Sequence, residues 1–173
     1  MGMEIIKQMY DVGCLFDKID DINIVKEVFS AFAAIELKYR GNMHTISEVL
    51  DDTFYTALAI CFRKDIQNTN FLVLNKGITS IKSYIFSDSF HLDKAVAYAA
   101  KAAYLATLLK YSKEKVVRFD PKVNIKDLEI KQFYPEHPLN ELNKLNRLKK
   151  SNPEAFHYWY QIYMIVQENE EGK

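Results

Sequence analysis

The longest uninterrupted helical pattern in this chain runs over residues 88–113, a stretch with neither proline nor glycine. Alanine, leucine and tyrosine recur in it at steps of three and four, which is the spacing of one helix face. Alanine has the highest helix propensity and almost no side-chain volume, so neighbouring helices can approach its backbone closely. Its alanines are Ala95, Ala97, Ala99, Ala100, Ala102, Ala103 and Ala106. The stretch predicts one long, buried helix in the core.

The composition is typical of a folded protein. The 173 residues fit one domain or one domain with a small appendage, and 49% of them are hydrophobic. No run of apolar residues is long enough to span a bilayer, and Glu4 and Asp11 interrupt the region where a secretory leader would be apolar. Cys14 and Cys61 are too far apart in sequence to indicate a zinc site or a disulfide framework. We therefore expect a soluble, cytoplasmic protein.

Three segments before the Ala-rich stretch also have helical spacing, over residues 3–18, 22–40 and 46–65. Asp20 or Asp21 is the expected N-cap of the second segment, which ends before Gly41. Thr45 and Glu48 match a capping box at the start of the third. The second segment carries a wide apolar stripe of Val25, Val28, Phe29, Phe32, Ile35 and Tyr39.

Two regions are less regular. Residues 71–74 fit either a short strand entering a turn at residues 75–77 or a buried apolar loop, and a short helix is expected after Gly77, over residues 78–85. The Ser-Asp-Ser cluster at residues 87–89 is the expected cap of the Ala-rich helix. Residues 116–134 mix apolar and charged positions around Pro121 and look partly extended.

The C-terminal part, residues 135–173, predicts a helical hairpin. Leu139, Leu142, Leu145 and Leu148 recur at every third position of its first, short helix, up to residue 150. Ser151 or Asn152 is the expected N-cap of the last helix, with Pro153 in its first position. The predicted fold is mainly α: a helical bundle over residues 1–115, a small extended or β insertion near residues 116–134, and this hairpin packed on the bundle.

The last helix is unusually aromatic, and its aromatic residues occupy more than one face. Such a helix is either fully buried or covered by a partner. In the second case the protein would be a scaffold or a dimerisation module. The residues concerned are Phe156, Tyr158, Trp159, Tyr160 and Tyr163.

The histidines are the candidate catalytic residues. Arg40 and His44 have only three residues between them, which is too few for the two cations of a helical ribonuclease to converge on one phosphate. Ser87, Ser89, His91 and Asp93 lie too close together at one helix start to form a hydrolytic triad.

Two pairs have the i, i+3 spacing of a di-iron bundle, Glu154 with His157 and, imperfectly, Asp88 with His91. Both pairs lie in the first turn of a helix, where the helix dipole also favours acidic residues. We therefore expect no catalytic residue, no metal and no cofactor. A ribonuclease-like or metal-dependent enzyme that uses His44, His91 or His157 stays open as an alternative.

The charge is balanced, with 23 Lys and Arg against 23 Asp and Glu. A chain without net charge has no general attraction to polyanions, so a nucleic-acid site must be local. Most basic residues lie between residues 94 and 150, and Lys beside Tyr is typical of surfaces that bind single-stranded nucleic acid. The predicted nucleic-acid-binding residues are Lys94, Tyr98, Lys101, Lys110, Lys144, Arg147 and Lys150.

This small helical chain without a catalytic motif contains three notable stretches: residues 37–42 (LKYRGN), residues 54–58 (FYTAL) and the Ala/Tyr-rich residues 95–109. In this combination of features, residues 25–112 resemble the small helical subunit of archaeal type I-A CRISPR effector complexes. The resemblance implies a protein that performs no chemistry, stacks in several copies along a guide RNA assembly, and offers basic residues to the target duplex or the displaced strand. The hypothesis is a non-enzymatic subunit of a nucleoprotein complex. Its expected partners are other subunits, copies of itself and an RNA or DNA backbone, with no membrane.

Overall fold

Seven α-helices and one 3-10 helix form the fold in a computed structural model that describes residues 1–41, 43–85 and 89–172. The mainly helical prediction is confirmed. The α-helices are α1 (Gly2–Phe16), α2 (Ile22–Tyr39), α3 (Ile46–Phe62), α4 (Phe71–Ile81), α5 (Leu92–Lys110), α6 (Leu148–Ser151) and α7 (Pro153–Glu171). The 3-10 helix, Leu142–Arg147, runs directly into α6. None of the described helices is long and apolar enough to cross a membrane.

Helix α5 is the central element and packs against α1, α3 and α7. Six of its seven alanines are at most 4% exposed, so the predicted core helix is confirmed. The large side chains of Tyr104, Tyr158 and Trp159 fill the space between these helices and are at most 2% exposed. Helix α5 begins at Leu92, and its N-cap His91 makes no side-chain cap bond. Of the predicted Ser-Asp-Ser cap, residues 87 and 88 lie outside the described residues.

The predicted N-caps of α2, α3 and α7 are confirmed. Asp21 accepts a hydrogen bond from the Asn23 amide at the start of α2. Thr45 and Glu48 form the reciprocal capping box of α3, with the Thr45 amide 2.6 Å from the Glu48 carboxylate. Asn152 caps α7, with Pro153 in the first helical position. Each cap depends on residues within one turn of the helix start.

Residues 71–74 are neither strand nor loop but the first turn of α4, so both alternatives from the sequence are wrong. Asn70 caps this helix by accepting a hydrogen bond from the Val73 amide at 3.1 Å. Leu74 and Ile78 then form a buried face on which α1 packs. Gly77 lies inside the helix, where it permits close contact with α1, and does not end a turn.

Residues 116–134, the predicted extended segment, form no strand and are interrupted by turns at residues 121–122 and 126–127. The β form of the predicted insertion is therefore not supported. Side chains from other parts of the chain form hydrogen bonds with backbone groups that a second strand would otherwise have paired. The Val117 amide donates to the Tyr104 hydroxyl at 3.0 Å, and the Asn146 amide group makes two hydrogen bonds with the Ile130 backbone. Arg118 donates to the carbonyl of Phe16, the last residue of α1, and to that of Ile19 beyond it.

The sequence predicted one helix over residues 139–150, but Leu139 lies in a turn, Leu142 and Leu145 lie on the 3-10 helix, and Leu148 begins the single turn of α6. A 3-10 helix has three residues per turn, so Leu142, Leu145 and Leu148 fall on one side and are all buried. They join a hydrophobic cluster that contains residues from each of the three predicted segments of the chain.

Candidate interaction surface

Lys101, one of the predicted nucleic-acid-binding residues, is buried inside the protein. Its side chain is 4% exposed, and its ammonium group lies 2.9 Å from a carboxylate oxygen of Asp17 and 2.9 Å from one of Glu154. Burial opposes its charge, but the two carboxylates outweigh that effect and raise the pKa of Lys101. The charge of Lys101 is therefore used within the fold.

Two further predicted residues form ion pairs near the surface. Lys110 lies 2.5 Å from Asp51. Lys144 contacts Glu141, whose second oxygen is 2.5 Å from Lys64. The hydrogen bonds from Lys144 and Lys64 lower the pKa of Glu141 to about 2.

The remaining predicted residues do not form one surface. Lys94 lies over the ring of Tyr98, which is half-buried against α1, and the Lys101 ammonium lies over the same ring. Arg147 donates to the carbonyl of Cys61 at 2.7 Å at the end of α3. Lys150 is exposed and has no hydrogen bond or ion pair within the described residues. Among the predicted residues, direct side-chain contact joins Lys94 and Lys101 to the ring of Tyr98.

A second group of lysines lies where α6 meets the extended segment, with the backbone of Lys126 beside the Lys149 side chain. The Lys149 ammonium approaches the Lys126 carbonyl at 3.4 Å and lies over the ring of Phe156. Lys150 follows it in the chain, and none of the three lysines has a carboxylate partner in the part of the chain that the structure describes. Lys126 and Lys149 were not among the residues predicted from the sequence, because their proximity depends on the path of the extended segment.

The four histidines are dispersed. His44 and His91 are exposed, and the ring of His157 bonds the Val117 carbonyl at 2.9 Å. Burial lowers the pKa of His157. Within the described ranges, no three His, Cys, Asp or Glu side chains are grouped as they would be around a metal ion.

A cleft of about 250 Å³ lies between α3, α5, α7 and the loop that contains His137. The Leu139 amide donates to His137 Nδ1 at 2.9 Å, so this nitrogen is an acceptor, and Nε2 lies 2.6 Å from Glu170. Both ring nitrogens are therefore engaged in contacts within the chain. The pair of Lys110 and Asp51 lines the same cleft.

The aromatic residues of α7 are mostly used inside the chain. Phe156, Tyr158, Trp159 and Tyr163 are at most 4% exposed. The indole N–H of Trp159 donates to the Cys61 sulfur at 3.2 Å, and burial raises the pKa of this thiol to about 12. Of the two explanations for an aromatic-rich helix, burial within the chain holds for these four residues.

A row of exposed apolar side chains lies instead on α2. Five large side chains, spaced by four, four, three and four residues, form one face of this helix and are between 57% and 90% exposed. They are Ile24, Val28, Phe32, Ile35 and Tyr39, and we call them the α2 stripe. Ile22 is the one residue of α2 that is fully buried, and Val25 packs on the core beside it.

The sequence predicted the apolar character of α2 but gave no reason to expect it in solvent. Val28, Phe32, Ile35 and Tyr39 were all part of the predicted stripe, and all four are exposed. The available signal was the width of that stripe, since it includes Val25 and Phe29 as well and covers more of the helix than one neighbour can bury.

Comparisons with protein-family models, with curated proteins and with solved structures found no match. The chain's own geometry is therefore the basis for its proposed function.

Proposed function

We propose that the protein is a non-enzymatic helical subunit of a larger assembly, in which a neighbouring protein chain covers the α2 stripe. The observation that supports it is the exposure of five large apolar side chains on one face of an 18-residue helix. Covering apolar surface is favourable by about 25 cal/mol per Å². Contiguous apolar patches of this kind are rare on monomeric proteins and mark interaction sites.

The charges on α2 favour a protein as the partner. Helices that bind membrane surfaces carry many Lys and Arg residues on their polar face. Helix α2 carries Lys26 and Lys38 against Glu27 and Glu36, so it has no excess of positive charge to attract lipid headgroups or phosphates. An apolar helix face on another protein chain is complementary to the stripe, and the equal numbers of Lys and Glu residues on α2 are compatible with such a partner. A small subunit that stacks on neighbouring chains, as the CRISPR resemblance implies, requires such a face.

Site-specific photo-crosslinking tests this function. The photoreactive residue p-benzoylphenylalanine is placed at position 32 of the chain expressed in its native cells, and adducts are identified by mass spectrometry. Position 84 is the matched control, because Phe32 and Tyr84 are both 67% exposed. We expect a protein adduct from position 32, its loss on the added change Ile35→Asp, and none from position 84. Equal labelling from both positions, or no protein adduct from position 32, contradicts the proposal.

Contact with a nucleic-acid backbone is the second candidate function, favoured by the cluster of Lys126, Lys149 and Lys150. These three ammonium groups lack carboxylate partners among the described residues, whereas Lys101, Lys110 and Lys144 are paired. Lysines that are not already neutralised can bind phosphates and release counterions.

Filter binding of single-stranded RNA over a salt series tests this second candidate. The triple change to Glu at positions 126, 149 and 150 should weaken binding and reduce the dependence of affinity on salt. The single change Lys110→Glu is the control, because Lys110 is paired with Asp51. RNA affinity that is undetectable in the wild type, or equal in the triple variant and the wild type, excludes this site.

A further inference from the structure

We infer that the chain covering the α2 stripe is a second copy of this protein, with the two α2 helices packed antiparallel across a twofold axis. The inference rests on the proposed function and names the partner at that site. It is supported by the size of the stripe, by the positions of two charged residues beside it, and by the side of α2 on which the rest of the protein lies.

The size of the stripe suits a small dimer interface. At 57–90% exposure, its five side chains present on the order of 600 Å² to solvent, given about 150–250 Å² for a large side chain. A stable interface buries about 800 Å² per partner. The stripe therefore supplies most of the area that such an interface needs.

Glu27 and Lys38 lie on the same flank of the stripe, because eleven residues separate them and this is about three helical turns. Both are exposed, and neither has an ion-pair partner within the described residues. In an antiparallel twofold pair, the same flanks of the two helices face each other. Glu27 of each copy then faces Lys38 of the other, which gives two identical ion pairs.

The register that joins the apolar residues also joins these charges. If Phe32 of one helix lies opposite Ile35 of the other, Val28 lies opposite Tyr39. In this register, Glu27 and Lys38 of the facing copy are two positions apart, which is about 3 Å along the helix axis. Flexible Glu and Lys side chains can span that offset.

The rest of the protein lies on the flank of the stripe away from Glu27 and Lys38. Ile22 and Val25 point into the core, and Phe29 is half-buried on the same side of α2 as they are. At 100° per residue, Val25, Phe29 and Ile22 lie about 60°, 100° and 120° around the helix from the centre of the stripe, on the flank opposite to Glu27 and Lys38. The flank that carries Glu27 and Lys38 is therefore the one that faces its counterpart in a second copy.

Charge reversal combined with mixing tests the inference. Molar mass is measured by sedimentation over a range of micromolar concentrations for the wild type, Glu27→Lys, Lys38→Glu and the double variant. We expect a dimer for the wild type and at least tenfold weaker association for each single variant, because like charges then face each other twice. The double variant should dimerise again, and so should an equimolar mixture of the two single variants. Circular dichroism checks that all variants are folded.

A wild type that stays monomeric overturns the inference, and so does a mixture that fails to restore the dimer. Binding to vesicles of phosphatidylcholine and phosphatidylserine by a monomeric wild type, lost in Phe32→Glu, would identify lipid as the occupant and also overturn it. A monomeric wild type that still gives a protein adduct at position 32 in cells would leave the proposed function standing with a different partner. The two failures are therefore distinguishable.

Discussion

Lys101 joins three helices at a single buried charge. Its ammonium group, on α5, binds Asp17 at the end of α1 and Glu154 in the first turn of α7. Glu154 thus combines an ion pair with the favourable position of an acidic residue at a helix N-terminus. A buried lysine without partners would lose its charge, whereas two carboxylates raise the pKa of Lys101. We infer that this residue acts in stability and not in phosphate binding.

Replacing Lys101 by alanine should destabilise the fold by about 2 kcal/mol, measured by urea unfolding. Removal of one member of a buried ion pair typically costs more, but Asp17 and Glu154 are 51% and 35% exposed, so water screens the carboxylates that remain. Lys110→Ala, which removes an exposed pair with Asp51, should cost less than about 1 kcal/mol. Equal effects of the two changes would contradict the assigned role of Lys101.

His157 should make stability depend on pH on the acidic side of neutrality. Burial lowers its pKa in the folded state, so the unfolded chain binds a proton first as the pH falls. Its contribution is complete above about pH 6.5, the value of an unperturbed histidine, and is lost as the pH falls from there through the lower folded pKa.

The replacement His157→Gln should give a shallower fall in the free energy of unfolding between about pH 7 and about pH 5, where histidines titrate. Urea unfolding at a series of pH values measures this slope. His44→Gln, at an exposed position, is the control and should keep the wild-type slope. A slope that is the same in all three proteins would show that His157 is not responsible.

Two glycines allow the helices α1 and α4 to pack with their backbones in contact. A Cβ atom added to Gly77 would lie 2.5 Å from the carbonyl oxygen of Gly2, and one added to Gly2 would lie 2.4 Å from that of Val73. These obstacles are backbone atoms, so no side chain can rotate to make room. The close approach also explains why Gly77 lies inside a helix despite its low helix propensity.

The change Gly77→Ala should lower the free energy of unfolding by about 2 kcal/mol or more, because overpacking of this kind forces the two helices apart. Gly172→Ala is the matched control. Its added Cβ would lie 3.5 Å from the nearest atom, an ordinary van der Waals distance, and its φ is −85°, which alanine adopts readily. Thermal unfolding of both variants decides the point, and a Gly77→Ala protein as stable as the wild type would refute the packing argument.

Helix boundaries could be predicted from the sequence where the signal is local. The caps at Asp21, Thr45 and Asn152 each involve residues within one turn, and all three are present. Residues 71–74 could not be assigned, because a four-residue apolar run has no periodicity of its own. The cap at Asn70 is a local signal that the interpretation of this run did not use. The other determinant, packing against α1, lies far away in the sequence.

The extended segment shows the same limit. The sequence showed that this segment lacks helical spacing. Whether it pairs as a strand depends on which parts of the chain lie beside it in the fold. Tyr104, Tyr158 and Asn146 supply its hydrogen-bonding partners from other parts of the chain. Such pairing is a property of the assembled fold. For the same reason, the cluster of Lys126 with Lys149 could not be found from spacing.

At the scale of the whole molecule, α2 is the element that the rest of the chain leaves most open. Helix α2 has apolar residues on two sides, and the spacing of these residues alone does not predict which side packs on the other helices. Ile22 and Val25 turn inward, and the α2 stripe turns outward. The opposite holds for the lysines that were predicted to bind nucleic acid. Several of them form ion pairs within the fold, which the composition of the chain does not reveal. Four of the five residues of the α2 stripe, all except Ile24, were part of the predicted apolar stripe, but neither their exposure nor a role in assembly was predicted.

Replacing a residue of the stripe should separate folding from assembly. Phe32→Ser should leave the unfolding free energy of the dilute protein within about 0.5 kcal/mol of the wild type, because Phe32 is 67% exposed. Ile22→Ser, at a position that is 3% exposed on the same helix, should cost about 2 kcal/mol or more. Urea unfolding at low protein concentration measures both changes.

The same variants should differ in how their thermal midpoints respond to concentration. A chain that associates through α2 only when folded gains stability by mass action, so the wild-type midpoint should rise with protein concentration. Phe32→Ser should remove most of that rise, whereas Ile22→Ser should lower the midpoint at every concentration and keep the rise. If Phe32→Ser destabilises the dilute protein as much as Ile22→Ser does, the stripe is covered within the chain itself, and α2 is not an assembly surface.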